Sequence, residues 1–327
     1  MNGEVKADFP WKFTATRPEE ERIWEIFLSR GLLTGGSGGP DQKPRAGNIP
    51  AEKVGPNIAG SKHKTHKPGD RPQALKITCV RERTRELMDT PAGITEEGYR
   101  LSLGETVRIT YASPRGLYYG LTALAELCNS GTLQEDSRRR FSGQEPPRRE
   151  LFDFPRFPIR GIIEGFYGPP WSHEVRKEMV RFLPEIRMNS FFYGPKDDPW
   201  HRDKWREPYP QKELERLAEL QNISAEQDTL FWYGLGPGLS IRYSGREELD
   251  LLTAKFSQIY KLGVRHFGLF LDDIPGNLLH REDREDYADL ASAHISLING
   301  LYRSLKSLDQ EIVLAVCPTE YWGRPGY

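Results

Sequence analysis

From about residue 160 onward, apolar and polar positions alternate in blocks rather than singly. Five short runs are apolar on both faces: Arg160-Gly-Ile-Ile-Glu-Gly-Phe-Tyr-Gly168, Ser190-Phe-Phe-Tyr-Gly-Pro-Lys196, Leu230-Phe-Trp-Tyr-Gly-Leu-Gly-Pro-Gly238, His266-Phe-Gly-Leu-Phe-Leu-Asp272-Asp273-Ile-Pro275 and Ile312-Val-Leu-Ala-Val-Cys-Pro-Thr-Glu-Tyr321. Such a run suits a parallel strand covered by helices, whereas a half-exposed antiparallel strand shows strict alternation. Each ends in Gly, Pro or a polar residue. Between the runs the spacing predicts helices. Met179, Phe182, Leu183 and Ile186 fall on one face after Ser172, a candidate N-cap, with Pro184 expected to kink the helix. Leu214, Leu217 and Ala218 form a second stripe. Leu249, Leu252, Phe256 and Ile259 form a third, closed by Gly263 at C′. Tyr287, Leu290, Ala291, His294, Ile298, Leu301 and Leu305 form the fourth and longest.

Strand and helix thus alternate as β/α units around a parallel sheet. A closed eight-stranded barrel takes roughly 250 residues, more than the stretch from about 155 to 327 supplies. The expected fold class is therefore α/β, a (β/α)8 TIM barrel that is incomplete in this chain, with about its first five strands. Either the chain is a fragment of a longer protein or the barrel is open. Ahead of it, Ala74–Val80 reads as a strand, and Glu97–Leu103 with Val107–Ala112 as a strand pair around a Gly-Glu turn. Pro114–Leu127 reads as a helix. This gives a small α/β domain over 1–150 and the barrel part over 151–327. A Gly/Pro/Lys/Ser-rich stretch at about 34–72 is expected to be a flexible insertion, and a polar stretch at about 134–150 a solvated linker.

Composition sets limits. Lys plus Arg number 46 against 47 Asp plus Glu, a net charge of -1, so nothing points to nucleic acid as a partner. The one basic cluster, Lys62-His-Lys-Thr-His-Lys67, is read as part of the flexible insertion. No apolar stretch is long enough to span a membrane, and polar residues follow Met1 where a signal peptide would be apolar, so no membrane partner and a cytoplasmic location are expected. Cys79, Cys128 and Cys317 are too few and too scattered for a disulfide framework or a zinc site. The first two read as packing residues.

The candidate chemistry lies at strand ends. Ionised Asp is costly there unless the C-terminal ends of parallel strands open into a polar cleft, where barrels keep their active sites. Asp272 and Asp273 can share a cleft only if the strand has begun to turn, a role given to Ile274-Pro275-Gly276. With Asp272 facing the barrel axis, Phe270, Gly268 and His266 face inward, and Phe267, Leu269 and Leu271 pack on helices. Two carboxylates this close do not both ionise easily, so one is pushed towards the protonated state and can serve as a general acid. Glu164 and Glu320 are read as hydrogen-bonding groups of the barrel mouth. Asp197, Asp198 and His201 are read as a loop-fixing network with Arg202 and Arg206, ahead of the alternative of metal ligands.

The motifs Gly161-Ile-Ile-Glu-Gly-Phe-Tyr-Gly-Pro-Pro-Trp-Ser172, Tyr193-Gly-Pro-Lys-Asp-Asp198 with His201-Arg202 and Trp205-Arg206-Glu207, Gly236-Pro-Gly-Leu-Ser240, Leu271-Asp-Asp-Ile274 and Cys317-Pro-Thr-Glu-Tyr-Trp-Gly323 resemble, in order and spacing, the family 84 glycoside hydrolases, the β-N-acetylglucosaminidases. The resemblance covers about half of the chain. It implies a retaining glycosidase acting on terminal β-linked GlcNAc, including O-GlcNAc on Ser/Thr of proteins, through an oxazoline formed by the substrate's own acetamido group, without metal or other cofactor. By the same resemblance Asp272 orients and polarises the acetamido group and Asp273 is the acid/base. Tyr321, Gly165 and Lys196 then contact the substrate. The small domain looks like the one that precedes the barrel in related β-hexosaminidases. The expected partner is a GlcNAc-bearing glycoprotein or glycan, and family members are also secreted. Sugar contacts that relatives draw from the sixth to eighth strands have no counterpart here, so this chain alone is expected to hydrolyse little substrate. A sugar-binding or interaction module made from an incomplete barrel is the alternative function class.

Overall fold

The computed structural model of the protein describes residues 11–14, 17–29, 75–81, 96–104, 106–130 and 148–321. The stretch expected as a flexible insertion, with its Lys/His cluster, lies outside the described residues, as does most of the expected linker. Two compact units divide the chain, Met1–Pro155 and Arg156–Tyr327.

The first unit has a mixed sheet formed by β1 (Trp11–Thr14), β2 (Leu75–Arg81), β3 (Tyr99–Leu103), β4 (Val107–Tyr111) and β5 (Arg149–Asp153), in the order β1-β2-β4-β3-β5. β1, β2 and β4 are parallel, and β3 runs antiparallel to both β4 and β5. Helices α1 (Pro18–Ser29) and α2 (Pro114–Asn129) supply Ile23, Trp24, Phe27, Leu117, Tyr118, Leu121 and Leu124 to a core shared with Ile77, Leu101 and Ile109 of the sheet. Ser113 caps α2, its hydroxyl accepting from the Gly116 amide. Cys79 lies inside this core and Cys128 at its margin. Burial pushes the thiol of Cys128 up to about 12. Arg149 and Glu150 belong to a strand rather than to a linker. β5 is mostly exposed, so its ladder with β3, not apolar burial, holds it in place.

In the second unit, β6 (Gly161–Glu164), β7 (Ser190–Tyr193), β8 (Leu230–Leu235), β9 (His266–Phe270) and β10 (Val313–Cys317) are all parallel and neighbours in chain order. Between them run α3 (His173–Phe182) with a 3-10 turn at Leu183–Ile186, α4 (Gln211–Glu226), α5 (Arg246–Tyr260), and the short α6 (Arg281–Asp286) followed by α7 (Leu290–Leu308). All four expected stripes supply core residues: Leu183, then Leu217, then Leu252, Phe256 and Ile259, then Leu301 and Leu305. Tyr287 of the fourth lies ahead of α7, which starts after an Asp289 capping box. The first stripe differs. Ser172 caps α3 as expected, but Pro184 ends the α-helical phase, so Val180 and Leu183 are buried while Phe182 and Ile186 are exposed.

Alternation along the strands splits the sheet into two faces. Phe191, Tyr193, Phe231, Tyr233, Phe267, Leu269 and Leu271 pack with the helices. Phe192, Trp232 and Phe270 form a separate cluster, with Phe192 and Trp232 stacked at 4.6 Å. The Phe270 ring covers three glycines. A Cβ at Gly194 or Gly268 would approach ring carbons to 2.6 and 2.8 Å, and one at Gly234 would collide with the ring and lie 2.9 Å from the Tyr193 carbonyl oxygen. The chain therefore leaves these positions bare so that a large ring can lie flat under the end of β9.

Gly234→Ala is accordingly expected to destabilise the second unit by about 1–3 kcal/mol. Gly276→Ala, where nothing lies within 4 Å, should leave stability nearly unchanged. Urea denaturation monitored by tryptophan fluorescence compares them, and equal midpoints for the two variants would mean that Phe270 has room to move.

Candidate active site

Beyond Phe270 the chain is still tied to its neighbour. The Leu271 amide donates to the Cys317 carbonyl at 2.9 Å, and the Thr319 hydroxyl donates to the Leu271 carbonyl at 2.8 Å. The ladder thus fixes the chain up to Leu271, one residue before the pair. Asp273 then takes φ 52°, the left-handed region that few non-glycine residues enter. The reversal therefore occurs at Asp273 itself, one residue ahead of the turn expected at Ile274-Pro275-Gly276. Its consequence is that two successive carboxylates, which a continuing strand would send to opposite faces, reach one cation. Lys196 Nζ lies 2.8 Å from Asp272 Oδ2 and 3.3 Å from Asp273 Oδ2. Adjacency in sequence revealed the crowding of the two carboxylates but not the cation between them.

Lys196 comes from the loop after β7, and its side chain is 9% exposed; Asp272 is 15% exposed and Asp273 38%. Three of the expected site residues are thus together. Of the other two, Gly165 directly follows β6 and opens the loop whose Tyr167 ring faces Lys196. Tyr321 is 59% exposed and does not join the hydrogen-bonded group among the described residues.

Two residues not assigned to the site from sequence, Tyr167 and Arg202, the latter expected in the loop-fixing network, complete the surroundings. Arg202 donates from one guanidinium nitrogen to the Tyr167 hydroxyl at 3.0 Å and from another to the Asp273 carbonyl oxygen at 3.2 Å. The Tyr167 ring also faces Lys196, whose Nζ is 5.6 Å from its centre. The His201-Arg202 dipeptide was visible in the sequence, but nothing local said that its arginine would reach across to β9.

The loop that carries Lys196 and Arg202 is fixed from below. Asp198 Oδ2 accepts from the hydroxyls of Tyr193 (2.8 Å) and Tyr209 (2.7 Å), and Oδ1 accepts from the amides of Trp200 (2.8 Å) and His201 (3.3 Å). Tyr233 donates to the Tyr209 hydroxyl, extending the network to β8. Burial, reinforced by the Asp198 charge, holds these tyrosines well above their ordinary range, so they remain donors. His201 is buried, with Nδ1 2.8 Å from the Gly234 carbonyl oxygen, and burial lowers its basicity. The loop-fixing network is thus built on tyrosines. Arg206, expected to belong to it, instead forms a two-pronged pair with Glu248 and binds Ser240, while Arg202 turns to Asp273.

Asp198 and His201, weighed as metal ligands, are both engaged in these bonds. Among the described residues no group of three or more His, Cys, Asp or Glu is disposed to hold a metal ion. Glu164 is buried and pairs with Arg176 through both oxygens at 2.7 and 2.8 Å, while accepting from the Trp171 amide, which makes it a support for the mouth of the sheet. The Cys317 thiol is pushed up by burial and then by the Asp272 charge, which keeps it from acting as a thiolate. Two carboxylates bridged by an ammonium, at the open end of a parallel sheet, form a site suited to acid–base chemistry.

A family model described as beta-N-acetylglucosaminidase matches residues 160–326, and one described as glycosyl hydrolase family 20, domain 2, matches residues 40–139. Among curated proteins the chain is similar to Protein O-GlcNAcase of Rattus norvegicus and of Mus musculus, 39% identical to each over 163 residues. These matches take in 50% of this chain and 17% of each relative, so the chain spans only a small part of their length. Among solved structures, a mutant of the Thermobaculum terrenum O-GlcNAc hydrolase superposes with a TM-score of 0.51 at 38% identity, over 52% of this chain and 37% of that one. No helix among the described residues is long and apolar enough to cross a membrane.

The buried imidazole of His201 gives a pH dependence of defined sign. In the unfolded chain it takes up a proton below about pH 6.5, whereas burial opposes that protonation in the folded protein. Stability linked to His201 should therefore be complete above that pH and decline as pH falls below it. Thermal melts of the wild type and of His201→Asn, which keeps a donor towards Gly234, test this. The wild type should lose more Tm between pH 7 and pH 5 than the variant, and parallel losses would count against a neutral buried His201.

Proposed function

The chain belongs to the beta-N-acetylglucosaminidase family, and from that premise we propose that the complete barrel to which it contributes hydrolyses terminal β-linked GlcNAc, O-GlcNAc on Ser/Thr of proteins included. In this reading the second unit contributes its five strands to a (β/α)8 barrel, and the first unit is a hexosaminidase-type N-terminal domain. The observation that carries the proposal is the bridging of Asp272 and Asp273 by Lys196 at the C-terminal end of β9. The similarity to O-GlcNAcases supports the choice of a glycoprotein substrate.

Most retaining glycosidases place a nucleophilic carboxylate against the anomeric carbon, but a substrate that bears a 2-acetamido group can supply its own nucleophile. The acetamido oxygen attacks C1 while the bond from C1 to the leaving oxygen breaks. Asp272 accepts a hydrogen bond from the acetamido N–H, which raises the electron density on that oxygen. Asp273 gives its proton to the leaving oxygen. In the second half, water adds to C1 as the oxazoline C1–O bond breaks, and Asp273 takes the proton of that water. GlcNAc leaves with its configuration retained and Asp273 is again protonated. An ammonium has three donors; with two turned to the carboxylates, Lys196 keeps one for a sugar hydroxyl. The Gly165 carbonyl and the Tyr321 hydroxyl are assigned two further sugar contacts. The cycle needs no metal or other cofactor.

The roles of the pair separate by leaving group. In a version that carries all eight barrel strands, Asp273→Asn should slow hydrolysis of an alkyl β-N-acetylglucosaminide on the order of 10²–10⁴-fold, yet affect the 4-nitrophenyl glycoside, whose phenolate departs without a proton, much less. Asp272→Asn should slow both, since oxazoline formation weakens whatever leaves. Equal losses on the two substrates for Asp273→Asn would remove it as the proton donor.

A further inference from the structure

Asp273 is held by something other than its own strand. The ladder to β10 secures the chain only up to Leu271, and φ 52° at Asp273 is a conformation that persists where surrounding contacts impose it. Among the described residues, the Lys196 ammonium touches the Asp273 side chain, and Arg202 is the side chain bonded to its main chain, at the carbonyl oxygen. Arg202 in turn is fixed on both sides. Its neighbour His201 is anchored to β8 through Nδ1 and Gly234, and through the Gly236 amide, which donates to the His201 carbonyl at 2.9 Å. Its guanidinium is braced by the Tyr167 hydroxyl from the loop after β6. A planar guanidinium with several donors in fixed directions can hold two acceptors on different segments at once, which an ammonium on a flexible stem does less well.

We propose that Arg202 is a positioning residue for the acid/base, setting the left-handed backbone of Asp273 and with it the place of its carboxylate beside Asp272 and Lys196. The proposal rests on the acid/base role given to Asp273 above. Without this bond, Asp273 can relax to a negative φ, and its carboxylate swings away from the leaving oxygen while Asp272 stays in place. Proton transfer then suffers more than oxazoline formation. A displacement of about 1 Å at a reacting group can cost on the order of 10²-fold in rate.

The test uses Arg202→Gln and Arg202→Lys, alone and combined with Asp273→Asn, in a version that carries all eight barrel strands, with kcat and KM measured on the alkyl and 4-nitrophenyl glycosides. Arg202→Gln should lower kcat on the alkyl glycoside on the order of 10²-fold, and on the aryl glycoside much less, with KM little changed. Arg202→Lys should restore only part of the loss, since an ammonium on a flexible stem braces two acceptors on different segments less well than a planar guanidinium. In the Asp273→Asn background the Gln substitution should cost almost nothing further. A general loss of structure would lower both substrates alike and persist in that background, and either result overturns the proposal. The single variant Asp273→Asn judges the acid/base reading separately: if it shows no dependence on the leaving group, that reading fails whatever Arg202 does. A crystal structure of Arg202→Gln decides the geometric point independently of turnover, with Asp273 expected at negative φ. An unchanged left-handed Asp273 would overturn the inference.

Discussion

The Lys196 ammonium, 2.8 Å from one carboxylate and 3.3 Å from the next, is the contact on which the rest of the site turns. Two adjacent aspartates at a strand end crowd two carboxyl groups into one partly buried place. A cation between them lets both stay close to one reacting centre. The arrangement has two requirements: the lysine must be delivered from another strand, and the second aspartate must be turned back to meet it. Each of the neighbouring features answers one of these. The tyrosines around Asp198 fix the loop that delivers Lys196, and the left-handed Asp273 returns the second carboxylate.

Below the pair, the sheet is shaped for the same end. Phe270 directly precedes Leu271 and the two aspartates, and its ring fills the inner face over Gly194, Gly234 and Gly268. Glycine at those positions costs strand stability, because it gives up side-chain packing and loses more chain entropy. In return a single large ring closes the floor under three strands, and the polar residues above it stand on a packed apolar layer. His201, also set against Phe270, fits this layer because burial keeps it neutral and its Nδ1 meets the Gly234 carbonyl.

Much of the second unit was legible because its strands are apolar on both faces and stop at Gly, Pro or Asp; each of the five runs contains a strand, and all pair in chain order. Periodicity failed where the local geometry changed phase. The stripe that included Phe182 and Ile186 expected a kinked helix that keeps one face, but Pro184 shifts the chain into a 3-10 turn that ends with Arg187 at φ 59°. In the first unit, β1 has only four residues, and β5 is Arg-Glu-Leu-Phe-Asp with its apolar members half exposed, so neither had a pattern to be read. In the site, Asp272 and Asp273 were legible as adjacent carboxylates at a strand end, and Lys196 was found from motif resemblance. The bonds of Arg202 and the tyrosine network were not, because they join segments whose adjacency exists only after the sheet has formed.

Adjacent residues, then, depend on different scaffolds. Asp272 directly follows the last residue tied into the sheet, and it is the less exposed of the pair, in the closer contact with Lys196. Asp273 lies past the end of the ladder, its main chain bonded to a loop from another strand and its side chain more open to solvent. The proposed chemistry asks for this asymmetry. A group that orients the acetamido nitrogen works best when it is fixed and shielded, whereas one that gives a proton to a departing oxygen and then takes one from water must face the side where aglycone and water exchange. A pair held identically by one rigid strand would serve the first task at the expense of the second.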